Sequence, residues 1–225
     1  MKNKILTNFT NIDDKNLAYH VAEDDHCVDL ARAELAKKYK FDNTNLQFME
    51  QIHSNIVKDI SPDSNVQTCD ALITNQENTP LMVMVADCIP ILFYDSIKKV
   101  IAVAHAGRAG TFENISENMI NKMIKQYDCE VKNIEVLLGP SIQKCCYEVS
   151  SELVETTLNL FGEEFIDGRY IDLQGINKKQ LINKGINPKN IEISPICTKC
   201  SNKNYFSYRQ DKTCGRFAGV LMLRK

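Results

Sequence analysis

The 225-residue sequence predicts an α+β fold built from mixed, mostly antiparallel sheets. The pattern indicates about four helices and nine or ten short strands that do not strictly alternate along the chain. Several strand-like segments follow one another with only short polar connections, which is typical of antiparallel pairing. No internal repeat and no linker rich in proline, glycine and serine divides the chain. We therefore expect one domain that covers residues 1–225.

The first half of the chain is predicted to form one helix and then six strands. Apolar residues at helical spacing favour a helix over residues 26–40. Apolar and β-branched runs indicate strands at residues 45–52, 55–60, 70–74, 81–86, 89–94 and 99–106. The last three runs are almost wholly apolar, as expected of strands that are buried on both faces.

The second half opens with a change to helical spacing after Gly110. Apolar residues then recur every three to four positions as far as Ile124, and Thr111 is predicted as the N-cap. A strand over 133–142 should end in a Gly-Pro turn. Further helices are predicted at 150–162 and 172–185, and further strands at 191–198, 205–209 and 217–223.

Composition narrows the classes of partner. The chain is 44% hydrophobic and 25% charged with a net charge of −2, so it has no basic surface for nucleic acid or an anionic membrane. Its longest apolar stretch, Leu81 to Tyr94, is broken by Asp87 and Pro90 and is too short to span a bilayer. The N-terminal residues lack the apolar region of a signal peptide. We expect a cytoplasmic protein that binds small molecules, and its oligomeric state stays open.

Three residues at the ends of predicted strands offer the chemistry of a metal site. His53, Cys88 and His105 supply two imidazoles and a thiolate, which suit Zn²⁺ and leave a fourth tetrahedral position for water. The wide spacing of the three residues favours a catalytic site over a structural one. The alternative is a buried cysteine that packs as a small hydrophobe and two histidines that are only hydrogen-bonded. The residues alone leave both interpretations open.

The neighbours of this trio suggest further roles. Asp87 could move a proton or orient an imidazole as a catalytic residue, or it could face away from Cys88 as a structural hydrogen-bonding group. Arg108 and Arg209 are candidates to bind the phosphate of a substrate, and Arg216 is a weaker one. The alternative for these arginines is an ion pair on the surface.

A second set of cysteines looks incomplete. Cys197-x-x-Cys200, with Cys214 further on, resembles half of a zinc ribbon or a redox pair. A ribbon needs a second close pair, which Cys214 does not supply, so we predict no second metal site. Cys145 and Cys146 are adjacent in a predicted strand, where consecutive side chains point apart, and we expect them to pack in the core.

Several motifs, in this order, resemble those of the bacterial YfiH family, which is also called the laccase-domain or peptidoglycan editing factor family. The motifs are QIHS, CDALIT, ADCIPILFYD, AVAHAGRAG, GPSIQKCCYEV and YFSYRQDKTCGRFAGVLML. The resemblance implies a layered α/β/β/α sandwich and a metal bound by His53, Cys88 and His105. The family usually reads HAGWRG where this chain has HAGRAG, and this chain has no tryptophan. The arginine shift puts substrate specificity at this loop in doubt.

The resemblance implies a zinc-dependent purine nucleoside enzyme. Its reactions would be phosphorolysis of adenosine, inosine and methylthioadenosine, and deamination of adenosine, with nucleoside and phosphate as the small-molecule partners. One alternative is a cysteine hydrolase for peptidoglycan editing that uses Cys88 as nucleophile. Another is a polyphenol oxidoreductase with a single copper. A true multicopper laccase is excluded, since a type 1 copper and a trinuclear cluster need far more histidines than the four present.

Overall fold

The computed structural model describes residues 5–60, 66–202 and 204–225. Its strands, in chain order, are β1 (Ile5–Phe9), β2 (Met49–Glu50), β3 (Val57–Asp59), β4 (Gln67–Thr68), β5 (Ala71–Thr74), β6 (Leu81–Val85), β7 (Ile89–Asp95), β8 (Val100–Ala106), β9 (Ile134–Leu138), β10 (Ile166–Asp167), β11 (Tyr170–Ile171), β12 (Ile191–Ile193) and β13 (Phe217–Leu223). Its α-helices are α1 (Asp25–Tyr39), α2 (Arg108–Phe112), α3 (Ile115–Tyr127), α4 (Ser151–Phe161) and α5 (Leu173–Asn183).

Two sheets carry the fold. The larger has six strands in the order β12-β9-β7-β8-β5-β3, and the smaller has three in the order β1-β13-β6. The inner pairs β7·β8, β7·β9 and β5·β8 are antiparallel, as are both pairs of the smaller sheet. Between the named strands, the parallel pairs are the outer pairs β12·β9 and β3·β5 of the larger sheet and the short pair β2·β4. The predicted mixed and mostly antiparallel sheets are confirmed.

Three apolar layers fix the order of the elements. Phe93 and Met119 belong to the layer between the larger sheet and α3. Leu92 and Phe217 pack between the two sheets. Leu35 of α1 packs against the outer face of the smaller sheet. This is the expected α/β/β/α sandwich.

Strand β7 shows why its sequence is a continuous apolar run. Ile89, Ile91 and Phe93 face the helical layer, whereas Leu92 faces the second sheet. Successive side chains of a strand point to opposite faces, so a strand covered on both sides needs apolar residues at every position. The start of β7 and the end of β8 lie side by side, and two of the candidate site residues, Cys88 and His105, lie there.

Two predicted strands differ from the structure, and two short elements were not predicted. Most of the predicted strand 45–52 does not form a strand: a 3₁₀ turn covers Asn43–Asn45, Gln47 makes an isolated bridge to Leu81, and only the two residues of β2 form a strand. Residues 205–209 form no strand, and a turn begins at Tyr208. The sequence missed β1, which is a polar-containing edge strand, and the small hairpin β10–β11. Strand β1 pairs with β13, which lies at the other end of the chain. The strands of the hairpin have only two residues each, too few to show a pattern.

Thr111 is not an N-cap. Helix α2 begins at Arg108 with Gly107 as its N-cap. A new helix, α3, then starts after Asn114, which has a left-handed backbone with φ of 61°. Thr111 is instead fully buried, and its hydroxyl accepts a hydrogen bond from the side-chain amide of Asn177 at 2.8 Å. Tertiary packing therefore overrides the local capping preference of threonine.

Among the described residues, no helix has the length and apolar character that crossing a membrane requires.

Candidate metal centre and its cavity

The structure brings His53, Cys88 and His105 together. Their possible ligand atoms all lie within 4.8 Å of one another, and the two imidazole rings meet edge to face with centroids 4.8 Å apart. Cys88 directly precedes β7, and His105 lies on the neighbouring strand β8, opposite Pro90. His53 follows β2 in a loop and has a left-handed backbone with φ of 60°. Antiparallel pairing of β7 and β8 thus brings the two apolar runs, and their reactive ends, side by side.

Asp70 is a functional residue that sequence reasoning missed. Its carboxylate is fully buried and lies 2.8 Å from Nδ1 of His105. The same carboxylate accepts hydrogen bonds from the backbone N–H groups of Ile52, His53 and Ser54, and from the Ser54 hydroxyl. One side chain therefore holds both histidines in place. The available signal was an acidic residue at the start of the apolar strand in CDALIT.

This hydrogen bond determines which nitrogen of His105 is free. Because Nδ1 faces a carboxylate, it keeps a proton, and Nε2 is the nitrogen left to bind a metal. A histidine that binds a metal usually donates its second N–H to a carboxylate or carbonyl in this way. The pair Asp70–His105 has the form expected of a metal ligand and its supporting carboxylate.

The charges of Cys88 and His105 stabilise each other. Burial raises the pKa of the Cys88 thiol, but the nearby His105 and His53 outweigh burial and lower it to about 6. Burial lowers the pKa of His105, but the Cys88 thiolate and Asp70 outweigh it and raise it to about 9. The metal-free trio near neutral pH is thus a thiolate beside an imidazolium. A thiolate is the form of cysteine that binds metals and attacks electrophiles.

Gly107 allows the three residues to approach. A Cβ atom at this position would lie 2.9 Å from Sγ of Cys88 and 3.3 Å from Cδ2 of His53. The first distance is far inside van der Waals contact, so any side chain here would displace one of the two groups. The first glycine of HAGRAG therefore leaves room for the trio.

Asp87 connects the site to two other segments. Its backbone has a positive φ of 89°, and its side chain is buried. One carboxylate oxygen accepts from the Thr198 hydroxyl at 2.7 Å and the other from the backbone N–H of Arg209 at 2.7 Å. Its carbonyl accepts from the backbone N–H of Ile142 at 2.8 Å. Among the described residues it is Asp70, and not Asp87, that orients an imidazole. A direct catalytic role for Asp87 stays a prediction.

A cavity of about 280 Å³ opens over the trio. Besides the three residues, its walls include Tyr147, Tyr208, Arg209 and Arg216. The guanidinium of Arg209 lies over the Tyr147 ring at 5.1 Å and donates to the Glu148 carbonyl at 2.7 Å. Aromatic walls with a few convergent polar groups are typical of sites for small organic ligands.

Arg108 lies beside this cavity and not in its wall. It is exposed, and it is absent from the described residues that line the cavity. Its charge acts on the phenol of Tyr147, together with that of Arg209. The guanidinium donates no hydrogen bond to another described residue, so it is free to bind a ligand at the rim. Its predicted role in binding phosphate is not decided by this placement.

The predictions for the other cysteines were wrong in two respects. Cys145 and Cys146 lie in a turn over residues 144–146, not in a strand, and Cys145 is exposed. Together with Cys197 and Cys200 they form a group whose sulfur atoms all lie within 4.8 Å of one another. Cys197-x-x-Cys200 therefore has the second close pair that it seemed to lack. Cys214 is not part of this group.

Comparison with known proteins agrees with this fold and site. A family model described as multi-copper polyphenol oxidoreductase laccase matches residues 8–224. The chain belongs to this laccase family. The crystal structure of the hypothetical protein YfiH from Bacillus licheniformis superposes on it with a TM-score of 0.92 and 25% identity, over 99% of this chain and 94% of that one.

Two curated relatives that are similar to this chain in sequence are named as enzymes that act on purine nucleosides. A purine nucleoside phosphorylase from Clostridium acetobutylicum is 35% identical over 188 residues, which is 81% of this chain and 78% of that protein. The adenosine deaminase RL5 from an unknown prokaryotic organism is 31% identical over 213 residues, which is 87% of this chain and 81% of that protein. The multi-copper description of the laccase family does not fit this member, because its four histidines are too few for several copper sites.

Proposed function

We propose that this protein is a zinc-dependent purine nucleoside enzyme whose active site is the cavity over His53, Cys88 and His105. The observation that carries the proposal is the convergence of these three ligand groups, with Asp70 behind His105, in a cavity walled by tyrosines and arginines. The names of the relatives, purine nucleoside phosphorylase and adenosine deaminase, support the substrate class. The substrates would be a purine nucleoside with either phosphate or water.

The donor set of the trio fits a single zinc ion. Two imidazole nitrogens and one thiolate are ligands that zinc accepts, and three protein ligands leave one position open. Burial raises the pKa of Cys88, but the adjacent imidazoles outweigh burial and lower it. The thiolate is therefore available to a metal at neutral pH. A single copper ion is the other metal that this donor set accepts.

The protein groups then have separate tasks. Bound zinc would act as a Lewis acid and lower the pKa of a water at its open position. Asp70 holds the imidazole of His105 in one orientation. Tyr147 and Tyr208 offer aromatic faces on which a purine can stack. Arg209 and Arg216 in the wall, with Arg108 at the rim, supply the positive charge that a phosphate needs.

Both reactions are compatible with these groups. In phosphorolysis, an oxygen of phosphate attacks C1′ of the ribose, the bond to the base breaks, and the base leaves with a proton. In deamination, water attacks C6 of adenosine and ammonia leaves. The arginines favour phosphorolysis, whereas an activated water favours deamination. The chain lacks the H-x-E and P-C-x-x-C signature of zinc nucleobase deaminases, so deamination here would use a different site.

One observation also favours a cysteine hydrolase as second candidate. Asp70, His105 and Cys88 form the chain of carboxylate, imidazole and thiolate that activates a cysteine nucleophile. Such an enzyme could serve peptidoglycan editing. It would use the same residues without a metal, so metal dependence separates the two candidates.

The test uses the full chain purified without a polyhistidine tag. Zinc and copper are quantified, and phosphorolysis and deamination are assayed before and after chelation. We expect Cys88→Ala to lose about one zinc ion per chain and to lose both activities. The control Cys27→Ala, at an exposed position, should keep the zinc content and both activities of the wild type. Full nucleoside activity in metal-free protein would contradict the zinc proposal, and hydrolysis of peptidoglycan fragments by metal-free protein, lost on alkylation of Cys88, would establish the hydrolase instead.

A further inference from the structure

We propose that Cys145, Cys146, Cys197 and Cys200 bind a second, structural zinc ion, in a site distinct from the cavity over His53, Cys88 and His105. The four residues, here called the tetrathiol cluster, come from two turns that are far apart in sequence. No other candidate ligand is needed, because four cysteines complete the tetrahedral shell of zinc. A complete shell of sulfur leaves no open position and is typical of structural sites.

The spacing of the sulfur atoms fits the ion. All four lie within 4.8 Å of one another, and Sγ of Cys145 is 3.8 Å from Sγ of Cys200. In a regular tetrahedron with zinc–sulfur bonds of about 2.3 Å, the sulfur–sulfur edge is about 3.8 Å. A disulfide requires about 2.05 Å, and none of the nine cysteines, which all lie in the described part of the chain, is in a disulfide. The cluster is spaced for coordination and not for bonding between pairs.

The two turns are held together without the ion. The backbone N–H of Thr198 donates to the Ser141 carbonyl at 3.0 Å, and the side-chain amide of Gln143 donates to the Ser194 carbonyl at 3.1 Å. Ser141 and Cys197 also form a parallel β-bridge. Because these contacts are made by neighbours of the cysteines, the sulfur atoms are brought together by the fold. A preformed site of this kind loses little entropy when it binds zinc.

The surroundings favour a dianionic zinc–sulfur centre. The backbone N–H groups of Gln143, Lys199 and Cys200 lie close to the sulfur of Cys197 and favour negative charge on it. Lys144 and Lys199 are the sequence neighbours of Cys145 and Cys200, and they add positive charge to offset four thiolates and one divalent ion. Cys197 is buried, whereas Cys145 and Cys200 are exposed, so an ion can enter from solvent.

The cluster also supports the cavity. Thr198, which lies between two of the cysteines, donates its hydroxyl to Asp87, and Ile142, close to the other two, donates its backbone N–H to the Asp87 carbonyl. Asp87 directly precedes Cys88. A zinc ion that joins the two turns would therefore stabilise the segment that presents Cys88, at a distance from the substrate.

Metal content of the full, untagged chain, kept reduced, tests the inference. We expect about two zinc ions per chain in the wild type and about one in Cys145→Ser/Cys200→Ser, which changes the two exposed ligands. The control Cys27→Ser/Cys214→Ser, outside the cluster, should keep about two. If the proposed catalytic zinc is absent, the wild type, the cluster variant and the control should hold about one, zero and one zinc ion per chain. The failure of one proposal can therefore be told from the failure of the other.

A measurement on the wild type avoids any folding defect of the variant. Native protein is alkylated, and each cysteine is mapped by mass spectrometry. We expect Cys145 and Cys200 to react at least about tenfold more slowly than the exposed Cys27, and to react several times faster after chelation than before it. Zinc content that is unchanged in Cys145→Ser/Cys200→Ser would overturn the inference. The inference would also be overturned if Cys145 and Cys200 were alkylated as fast as Cys27. Disulfides among the four residues in protein purified with a reductant would overturn it equally.

Discussion

The imidazole of His105 and the carboxylate of Asp70 lie 2.8 Å apart, and both are buried. The carboxylate also accepts the backbone N–H of His53 at 3.0 Å, so one residue positions both histidines of the trio. Removal of its charge should therefore affect the metal more than the fold.

Asp70→Asn is expected to weaken zinc binding at the trio about 10- to 100-fold, the usual cost of losing a carboxylate behind a histidine ligand. The amide keeps the size of the side chain but neither the charge nor both acceptors. Competition with a chelator gives the affinity, and kcat/KM for the nucleoside should fall with it at limiting zinc. Asp59→Asn, in an exposed ion pair with Lys122, is the control. Equal affinity in both variants would contradict the role assigned to Asp70.

Gly107→Ala tests the close approach of Cys88 and His53. The new Cβ would lie 2.9 Å from Sγ of Cys88, and we expect the displacement to cost about 1–3 kcal/mol of zinc binding. The same chelator competition measures this loss. Gly168→Ala is the control, since its Cβ would meet no atom within 4 Å. The control is expected to lower stability slightly, because its φ is 58°, while zinc affinity stays the same. A Gly107 variant with wild-type affinity would show that the site has spare room.

Thr198→Val removes the hydroxyl that donates to Asp87 at 2.7 Å. A buried carboxylate oxygen then loses its partner, which should lower the free energy of unfolding by about 1–3 kcal/mol. Denaturant unfolding measures the change, and kcat should fall because Asp87 supports Cys88. The control is Thr156→Val on α4, which removes a hydroxyl that donates to the backbone carbonyl of Glu152, and its stability should stay within about 0.5 kcal/mol of the wild type. A Thr198 variant as stable and active as its control would refute the link.

In metal-free protein, Cys88 should react as a thiolate at neutral pH. Burial raises the pKa of this thiol, but the neighbouring imidazoles outweigh burial and lower it to about 6. The alkylation rate of Cys88 should therefore be constant above about pH 7. Below about pH 6 the thiolate gains a proton, and the rate should fall about tenfold per pH unit. The exposed Cys27 is the internal control for access of the reagent. His105→Gln removes the positive charge and should shift the Cys88 profile upward; an unshifted profile would contradict this cause.

Arg108→Ala is expected to raise KM for phosphate, or to lower phosphorolysis, about 10- to 100-fold, which corresponds to a lost charged hydrogen bond of about 1.5–3 kcal/mol. Zinc content should not change, and deamination should suffer less because it uses no phosphate. Arg209→Ala, in the cavity wall, should show the same selectivity. Arg169→Ala, whose guanidinium pairs with the exposed Glu148 at 3.0 Å, is the control. Equal loss of both reactions in Arg108→Ala would indicate a disrupted loop, and no loss would place phosphate elsewhere.

The sequence by itself determined the buried strands and the ends that carry Cys88 and His105. The runs at 81–86, 89–94 and 99–106 became β6, β7 and β8, because a strand covered on both faces needs apolar residues throughout. Their reactive ends, Cys88 and His105, stood out against that pattern. The fold class and the family could also be predicted, since both depend on the order of local motifs.

Only the tertiary structure decided which polar groups meet. Asp70 is a single carboxylate at a strand start, and nothing local shows that it faces His105 on β8 and the backbone of the loop at His53. The pairing of Cys145 and Cys146 with Cys197 and Cys200 likewise joins turns about fifty residues apart along the chain. Hydrophobic periodicity specifies which face of an element is buried, whereas contacts between loops depend on how the finished layers place their ends.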